Sequence, residues 1–202
     1  MTVGRVLIAT RNAHKRAELR RILAPAAPHI EVVGLEDVAR YDEPPETEPT
    51  FEGNALLKAR AACAATGLVS LADDSGICVD ALNGMPGVLS ARWSGRERDD
   101  AANNALLLAQ TKEVPDERRG AQFRCAAALV LPSGDEWVEV GVLRGRLLRT
   151  VRGEAGFGYD PLFVADGQTQ SNGELDPADK DAISHRGQAL RTMTPLLVRA
   201  VA

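Results

Sequence analysis

Two adjacent carboxylates, Asp73 and Asp74, followed by Ser75 and Gly76, close a short apolar run that contains Leu68, Val69, Leu71 and Ala72. Adjacent carboxylates repel, so the pair calls for a cation or a shared proton. Hard cations such as Mg²⁺ take oxygen ligands and use carboxylates as their protein anchors. Asp, Ser and Gly are also turn residues, so a solvated turn is the competing reading.

Four other segments bear on that choice. Thr10-Arg11-Asn12-Ala13-His14-Lys15 links an apolar run to a helical one. A strand-to-helix turn offers backbone N–H groups and the positive end of a helix dipole, and Lys15 adds charge, so the segment can cradle phosphate. Walker A glycine spacing is absent. The alternative is plain helix capping. Asn54 and Lys58 lie four apart on one face of an alanine-rich helix, where packing is the simpler role. Phe157-Gly158-Tyr159-Asp160 gathers aromatics beside a flexible turn, able to stack on a nucleobase or to fill a core. Lys180 with Ser184-His185-Arg186-Gly187 crowds cations at a helix start, where anions are favoured, and a bound anion would relieve that conflict. Metal, phosphate and base sites together suit a nucleoside triphosphate, with metal bridging phosphate oxygens and a carboxylate handling water.

The elements that must position these groups follow from periodicity and punctuation. Val3 to Ala9 reads as a buried strand, with Asn12 capping a helix from Ala13 to Leu23 that Pro25 ends. Glu31 to Leu35 is a second strand. The acidic, Pro-rich stretch Tyr41 to Pro49 is a loop. Thr50 opens a helix that Gly67 stops. A strand ending at Asp73-Asp74 precedes Ile77 to Leu82, and a helix starts at Asp99 or Asp100 and runs to about Lys112. Gln122 to Leu131 and Glu136 to Leu148 alternate as an antiparallel hairpin around Pro132-Ser133-Gly134-Asp135. The last helix runs from Ser184 to about Ala200. Early alternation of strands and helices followed by a hairpin predicts an α/β fold with a mixed sheet.

Composition bounds the function. With 202 residues and 45% hydrophobic content, the chain can build one core or a compact two-lobed one. A net charge of −4 argues against non-specific nucleic-acid binding. No apolar run approaches a membrane span, and the N-terminal residues lack a signal-peptide pattern, so a cytoplasmic location is expected. Cys63, Cys78 and Cys125 are widely spaced in apolar surroundings and read as buried free thiols.

The ordered set Thr10-x-Asn12-x-x-Lys15, Asn54-Ala55 with Lys58-Ala59, Ala72-Asp73-Asp74-Ser75-Gly76, Pro86-Gly87 with Ser90-Ala91-Arg92, Phe157-Gly158-Tyr159-Asp160-Pro161 and Ser184-His185-Arg186-Gly187 resembles the inosine triphosphate pyrophosphatase family. The resemblance covers nearly the whole chain. It implies an elongated two-lobed α/β domain with a central cleft, a homodimer, and Mg²⁺-dependent hydrolysis of ITP, dITP and XTP to monophosphate and pyrophosphate. It also implies residue roles. Thr10 to Lys15 would bind triphosphate. Asp74 would be proton acceptor and metal ligand with Asp73 in support, and Ser75 would contact substrate. Phe157, Gly158, Tyr159, Asp160, Lys180, His185 and Arg186 would surround the base and phosphates, with Lys180, His185 and Arg186 reading the purine 6-oxo edge. Glu46 is the best positional match for a further metal carboxylate, with Glu43 and Glu48 beside it. Two positions depart from the family pattern: Gly53 stands where Glu is common, and Arg11 where glycine is common. Competing readings are a Maf-like pyrophosphatase of pyrimidine or modified nucleotides and a non-catalytic nucleotide sensor.

Overall fold

The computed structural model describes residues 4–95 and 99–201. Val3, the first residue of the expected opening strand, lies outside the described residues. The elements are β1 (Gly4–Ile8), α1 (Ala13–Ala26), β2 (Ile30–Val33), α2 (Phe51–Thr66), β3 (Val69–Val79), α3 (Asp100–Gln110), β4 (Gly120–Val130), β5 (Glu136–Leu147), β6 (Phe163–Ala165), α4 (Pro177–Ile183) and α5 (His185–Val201). Short 3₁₀ segments, among them Gly87–Arg92 and Asp160–Leu162, join them.

One six-stranded sheet has the order β2-β1-β3-β4-β5-β6. β1 pairs in parallel with β2 and with β3, so Val6 faces Val32 on one side and Val69 on the other. β5 and β6 are antiparallel, with Leu147 opposite Phe163. The five-residue turn 131–135 joins neighbours β4 and β5, which a parallel crossover could not do. The sheet is therefore mixed and the class α/β, as the sequence pattern predicts.

Two local expectations need correcting. Asp73-Asp74-Ser75-Gly76 is not a turn: β3 runs through it without a break from Val69 to Val79. Two runs separated by turn-type residues look like two elements, but sheet pairing overrides local preference. Gly76 serves close approach, since a Cβ there would sit 2.5 Å from the Gly87 carbonyl and against the Ser90 hydroxyl. Pro25 does not end α1 but lies within its last turn, where the Ala27 N–H still bonds the Leu23 carbonyl at 2.8 Å. A short helix, α4, that periodicity could not reveal ends at Ser184, which is extended and directly precedes α5 as the expected helix start there requires.

The chain divides into two compact units. The first comprises Met1–Asp74, Cys125–Gly141 and Arg186–Ala202, and the second Ser75–Arg124 and Val142–His185. In the first, Ala189, Leu190, Met193 and Leu197 of α5 share a core with Ile8 of β1, Leu19 and Leu23 of α1, and Leu71 of β3. In the second, Phe123, Phe163, Leu107, Tyr159 and Leu162 form a separate core, with Phe123 and Phe163 edge to face at 4.8 Å. All three cysteines are buried free thiols, as expected. No helix among the described residues is long and apolar enough to cross a membrane.

Leu190 is fully buried among these side chains. Leu190→Ala is expected to lower unfolding free energy by about 2–5 kcal/mol in urea titration, because the site is hemmed in by helix and strand and collapses poorly.

Candidate active site

β3 carries both carboxylates of the acidic pair into buried positions, and their surroundings differ sharply. Asp73 is 1% exposed. Its Oδ2 lies 3.0 Å from Lys15 Nζ and accepts from Arg186 Nε and Nη2 at 3.2 Å each. Arg186, at the start of α5, also pairs with buried Glu18 of α1. Burial opposes charge on Asp73, but Lys15, Arg186 and Lys58 outweigh it and hold the carboxyl well below the ordinary value of 3.8. Burial likewise opposes charge on Arg186, yet Asp73 and Glu18 keep it protonated. The Cys125 thiol, 3.9 Å from Asp73 Oδ2, is pushed up to about 12 by burial and then by Asp73, so it stays protonated.

Asp74 meets a different set. Asn54 of α2 donates to its Oδ2 at 3.2 Å, and Lys58, one turn later, places Nζ 3.5 Å from Oδ1. The same ammonium lies 2.8 Å from Glu46 Oε1. Burial is the largest influence and raises the Asp74 carboxyl above its ordinary value; Lys58 and Lys15 pull it down, while Glu46 and Asp73 push it up. Asn54 also fixes the acidic loop. Its Oδ1 accepts from Glu48 N–H at 3.0 Å and its Nδ2 donates to Glu48 carbonyl at 3.2 Å. Glu43 instead pairs with Arg11, so Glu46 is the loop carboxylate that shares a cation with Asp74. Position 53 is Gly where this loop packs: a Cβ there would lie 2.7 Å from Glu48 Cβ.

The Thr10 to Lys15 turn is more closed than its sequence implies. Thr10 Oγ1 accepts from Asn12 N–H at 3.2 Å, and Asn12 Oδ1 accepts from His14 and Lys15 N–H at 3.0 and 3.2 Å. The cap thus engages the Asn12, His14 and Lys15 amides. Ala13 and His14 are exposed at the helix start.

In the second unit, Ser75 is the one partly exposed residue between Ser70 and Val79. The Phe157 to Asp160 loop splits in role. Phe157 is half-buried, with Lys180 Nζ 4.7 Å from its ring centroid. Tyr159 belongs to the core, and its hydroxyl donates to the Ser90 carbonyl at 2.9 Å. Asp160 Oδ2 accepts from Lys180 Nζ at 2.7 Å and from Phe157 N–H at 2.9 Å, and its Oδ1 accepts from Asn172 Nδ2 at 3.3 Å. His185 stacks on Phe123 at 4.9 Å. Protein carboxylates hold Lys180 and Arg186, and an aromatic face covers His185.

Asp100 and Asn104 of α3, which no motif flagged, bond the Gly158 peptide. Sequence spacing could have marked them only as one polar face at i, i+4.

Among the described residues no three acidic, His or Cys side chains converge on one point. Asp74 and Glu46 do converge on a shared cationic neighbour, and two carboxylates plus substrate phosphates are what Mg²⁺ asks of a protein. The donor set fits that ion.

Asp73→Asn should cost about 3–5 kcal/mol at neutral pH, because it leaves Arg186 and Lys15 under-paired in the interior. Asp73's folded-state value lies below 3.8, so its contribution is complete above that value and is lost as pH falls. Urea unfolding should show a constant gap between wild type and variant from about pH 5 to 8, narrowing on further acidification.

The Ham1 family model matches residues 6–196. A dITP/XTP pyrophosphatase of Nocardia farcinica is 63% identical over 198 residues, covering 98% of this chain and 96% of that protein. A crystal structure of a nucleoside-triphosphatase, dITP/XTP pyrophosphatase, from Mycobacterium abscessus superposes with TM-score 0.77 at 55% identity, covering 95% of this chain and 99% of that one. A HAM1 protein of Coxiella burnetii superposes with TM-score 0.84 at 37% identity, covering 98% and 100%. The motifs in β3, the β1–α1 turn and the start of α5 thus sit in a chain that belongs to the Ham1 family.

Proposed function

We propose that this protein hydrolyses non-canonical purine nucleoside triphosphates, ITP, dITP and XTP, to the monophosphate and pyrophosphate, with Mg²⁺. The observation that carries the reading is the asymmetry of the acidic pair. Asp73 is locked as an anion by Lys15 and Arg186, whereas Asp74 has a raised carboxyl beside Lys58 and Glu46. Environments that push two neighbouring carboxylates apart assign them different tasks.

Asp74 is the base. Water loses a proton to Asp74 Oδ1 while its oxygen attacks the α-phosphorus; the bond to the β-phosphate oxygen breaks and pyrophosphate leaves. Asn54, on Oδ2, keeps the carboxylate oriented. Asp74 and Glu46 would hold Mg²⁺, which when bound would neutralise phosphate charge and polarise phosphorus. Lys15 and Lys58, with the Thr10, Arg11, Asn12, Ala13 and His14 turn, are assigned to the phosphates, and Ser75 to substrate contact. Arg186, engaged by Glu18 and Asp73, is assigned to holding Asp73 rather than to the base.

Phe157 offers a ring to stack on the base, and Lys180, held over it by Asp160, is the donor for the purine 6-oxygen. A 6-amino group presents a donor to that ammonium and is rejected. Gly158, Tyr159, Asp160 and His185 support this side. A homodimer in the cytoplasm is the proposed working form, tested by light scattering for twice the 21.6 kDa chain mass.

Incubation with dITP and Mg²⁺ should yield dIMP and pyrophosphate; dIDP with orthophosphate would overturn the reading. A panel including dTTP and UTP separates it from the Maf-like alternative, and binding of ITP without turnover would favour a sensor. Asp74→Asn should lower kcat by about 10²–10⁴-fold with an unchanged melting temperature. The acid limb of kcat/KM should have its midpoint above 3.8, since Asp74 must be ionised to accept a proton. Lys58→Met removes the largest influence lowering the Asp74 carboxyl, so that limb should move to higher pH.

A further inference from the structure

The loop proposed to receive the base has little stiffness of its own. Gly156 and Gly158 both adopt positive φ, +77° and +61°, so each has access to conformations closed to other residues. Side-chain contacts from within the loop and from outside it therefore set where Phe157 lies. Helix α3 does so through two side chains one turn apart. Gly158 N–H donates to Asp100 Oδ2 at 2.6 Å, and Asn104 Nδ2 donates to the Gly158 carbonyl at 2.9 Å. One helix face thus grips both polar groups of a single glycine, immediately beside the Phe157 ring.

The grip is rigid because α3 is itself well anchored. Asp99 caps it by accepting from Ala102 N–H at 2.9 Å, and Leu107 is fully buried in the second unit's core. Asn103 accepts from Ser94 N–H at 2.8 Å and donates to the Ala91 carbonyl at 3.3 Å. Asn104 is 8% exposed, and among the described residues its Oδ1 has no hydrogen-bond partner. Its amide therefore has the Gly158 carbonyl as its partner, and a buried amide kept for one bond is a costly residue for mere packing. On the loop's other side, Asp160 takes the Phe157 N–H and the Lys180 ammonium. The ring and the ammonium over it are consequently registered between α3 and Asp160.

We propose that Asp100 and Asn104 are positioning residues for base selectivity: by clamping the Gly158 peptide they set the Phe157 platform and the Lys180 donor in the register that favours a 6-oxo purine. The proposal rests on the function proposed above. Neither residue touches substrate, and neither takes part in phosphate chemistry.

The test compares dITP with dATP in steady-state kinetics for wild type, Asp100→Ala, Asn104→Ala and the conservative Asp100→Asn, each checked by thermal melting. Losing one of these bonds should raise the KM for dITP about tenfold with kcat changed less than about threefold. The ratio of kcat/KM for dITP over dATP should fall by a similar factor, and Asp100→Asn, which retains an acceptor oxygen, should recover most of it. An unchanged ratio, or equal losses on both nucleotides, would overturn the proposal by reducing the clamp to a structural contact. Should a truncation variant fail to fold, the decision passes to Asp100→Asn and Asn104→Ser, for which an unchanged KM and ratio in both would overturn it. Absence of dITP hydrolysis by wild type would instead sink the proposed function itself.

Discussion

The carboxylate of Asp73 is a full negative charge in the middle of a β-strand, and the first unit is arranged to keep it so. Removing a carboxylate from water costs several kcal/mol unless cations replace the lost hydration. Lys15 from the start of α1 and Arg186 from the start of α5 supply them, and Glu18 from α1 is the second carboxylate, so two cations face two anions. Two helix starts far apart in sequence are thereby tied to one strand residue. The apolar cluster of β1, β3, α1 and α5 supplies burial energy without direction, whereas these ion pairs specify which turn of each helix meets β3. The ends of α1 and α5 that bear the motifs are the ends so tied.

This neutralisation also makes its neighbour useful. An acidic pair with no cations would share one proton and titrate as a couple. Because Asp73 is spoken for, Asp74 is free to respond to Lys58, Glu46 and its own burial. The strand's alternation helps, since successive side chains leave on opposite faces and meet different neighbours. Asn54 then ties the acidic loop to Asp74 by bonding both backbone polar groups of Glu48, so the loop that carries Glu46 is held by a helix side chain.

Most of the elements were legible in the sequence because their signals are local. Asn12 and Thr50 cap their helices through side-chain oxygens as their types predict, and Gly67 ends α2 in the left-handed conformation. The alternating runs around 131–135 form neighbouring strands. Where local signals were misleading, a partner distant in sequence was the cause. Asp-Asp-Ser-Gly has turn chemistry, but it lies inside β3, an eleven-residue strand that sits between β1 and β4 in the sheet. β6 has three residues and α4 seven, too few for periodicity to register.

By itself the sequence determined the residue types and their order: an acidic pair after an apolar run, a capped helix start with Lys15, an aromatic-glycine loop and a cation-rich helix start. Those types made metal-assisted work on a polyanion the expectation. Only the tertiary structure decided which charge each cation serves. Arg186 and Lys180 read alike in sequence as anion-seeking side chains, yet one is held by Glu18 and Asp73 and the other by Asp160 over Phe157. Pairing of charges depends on distances of a few ångströms between segments more than a hundred residues apart, as between Asp73 and Arg186. Coulombic and desolvation energies change steeply over those distances, and no local pattern encodes them.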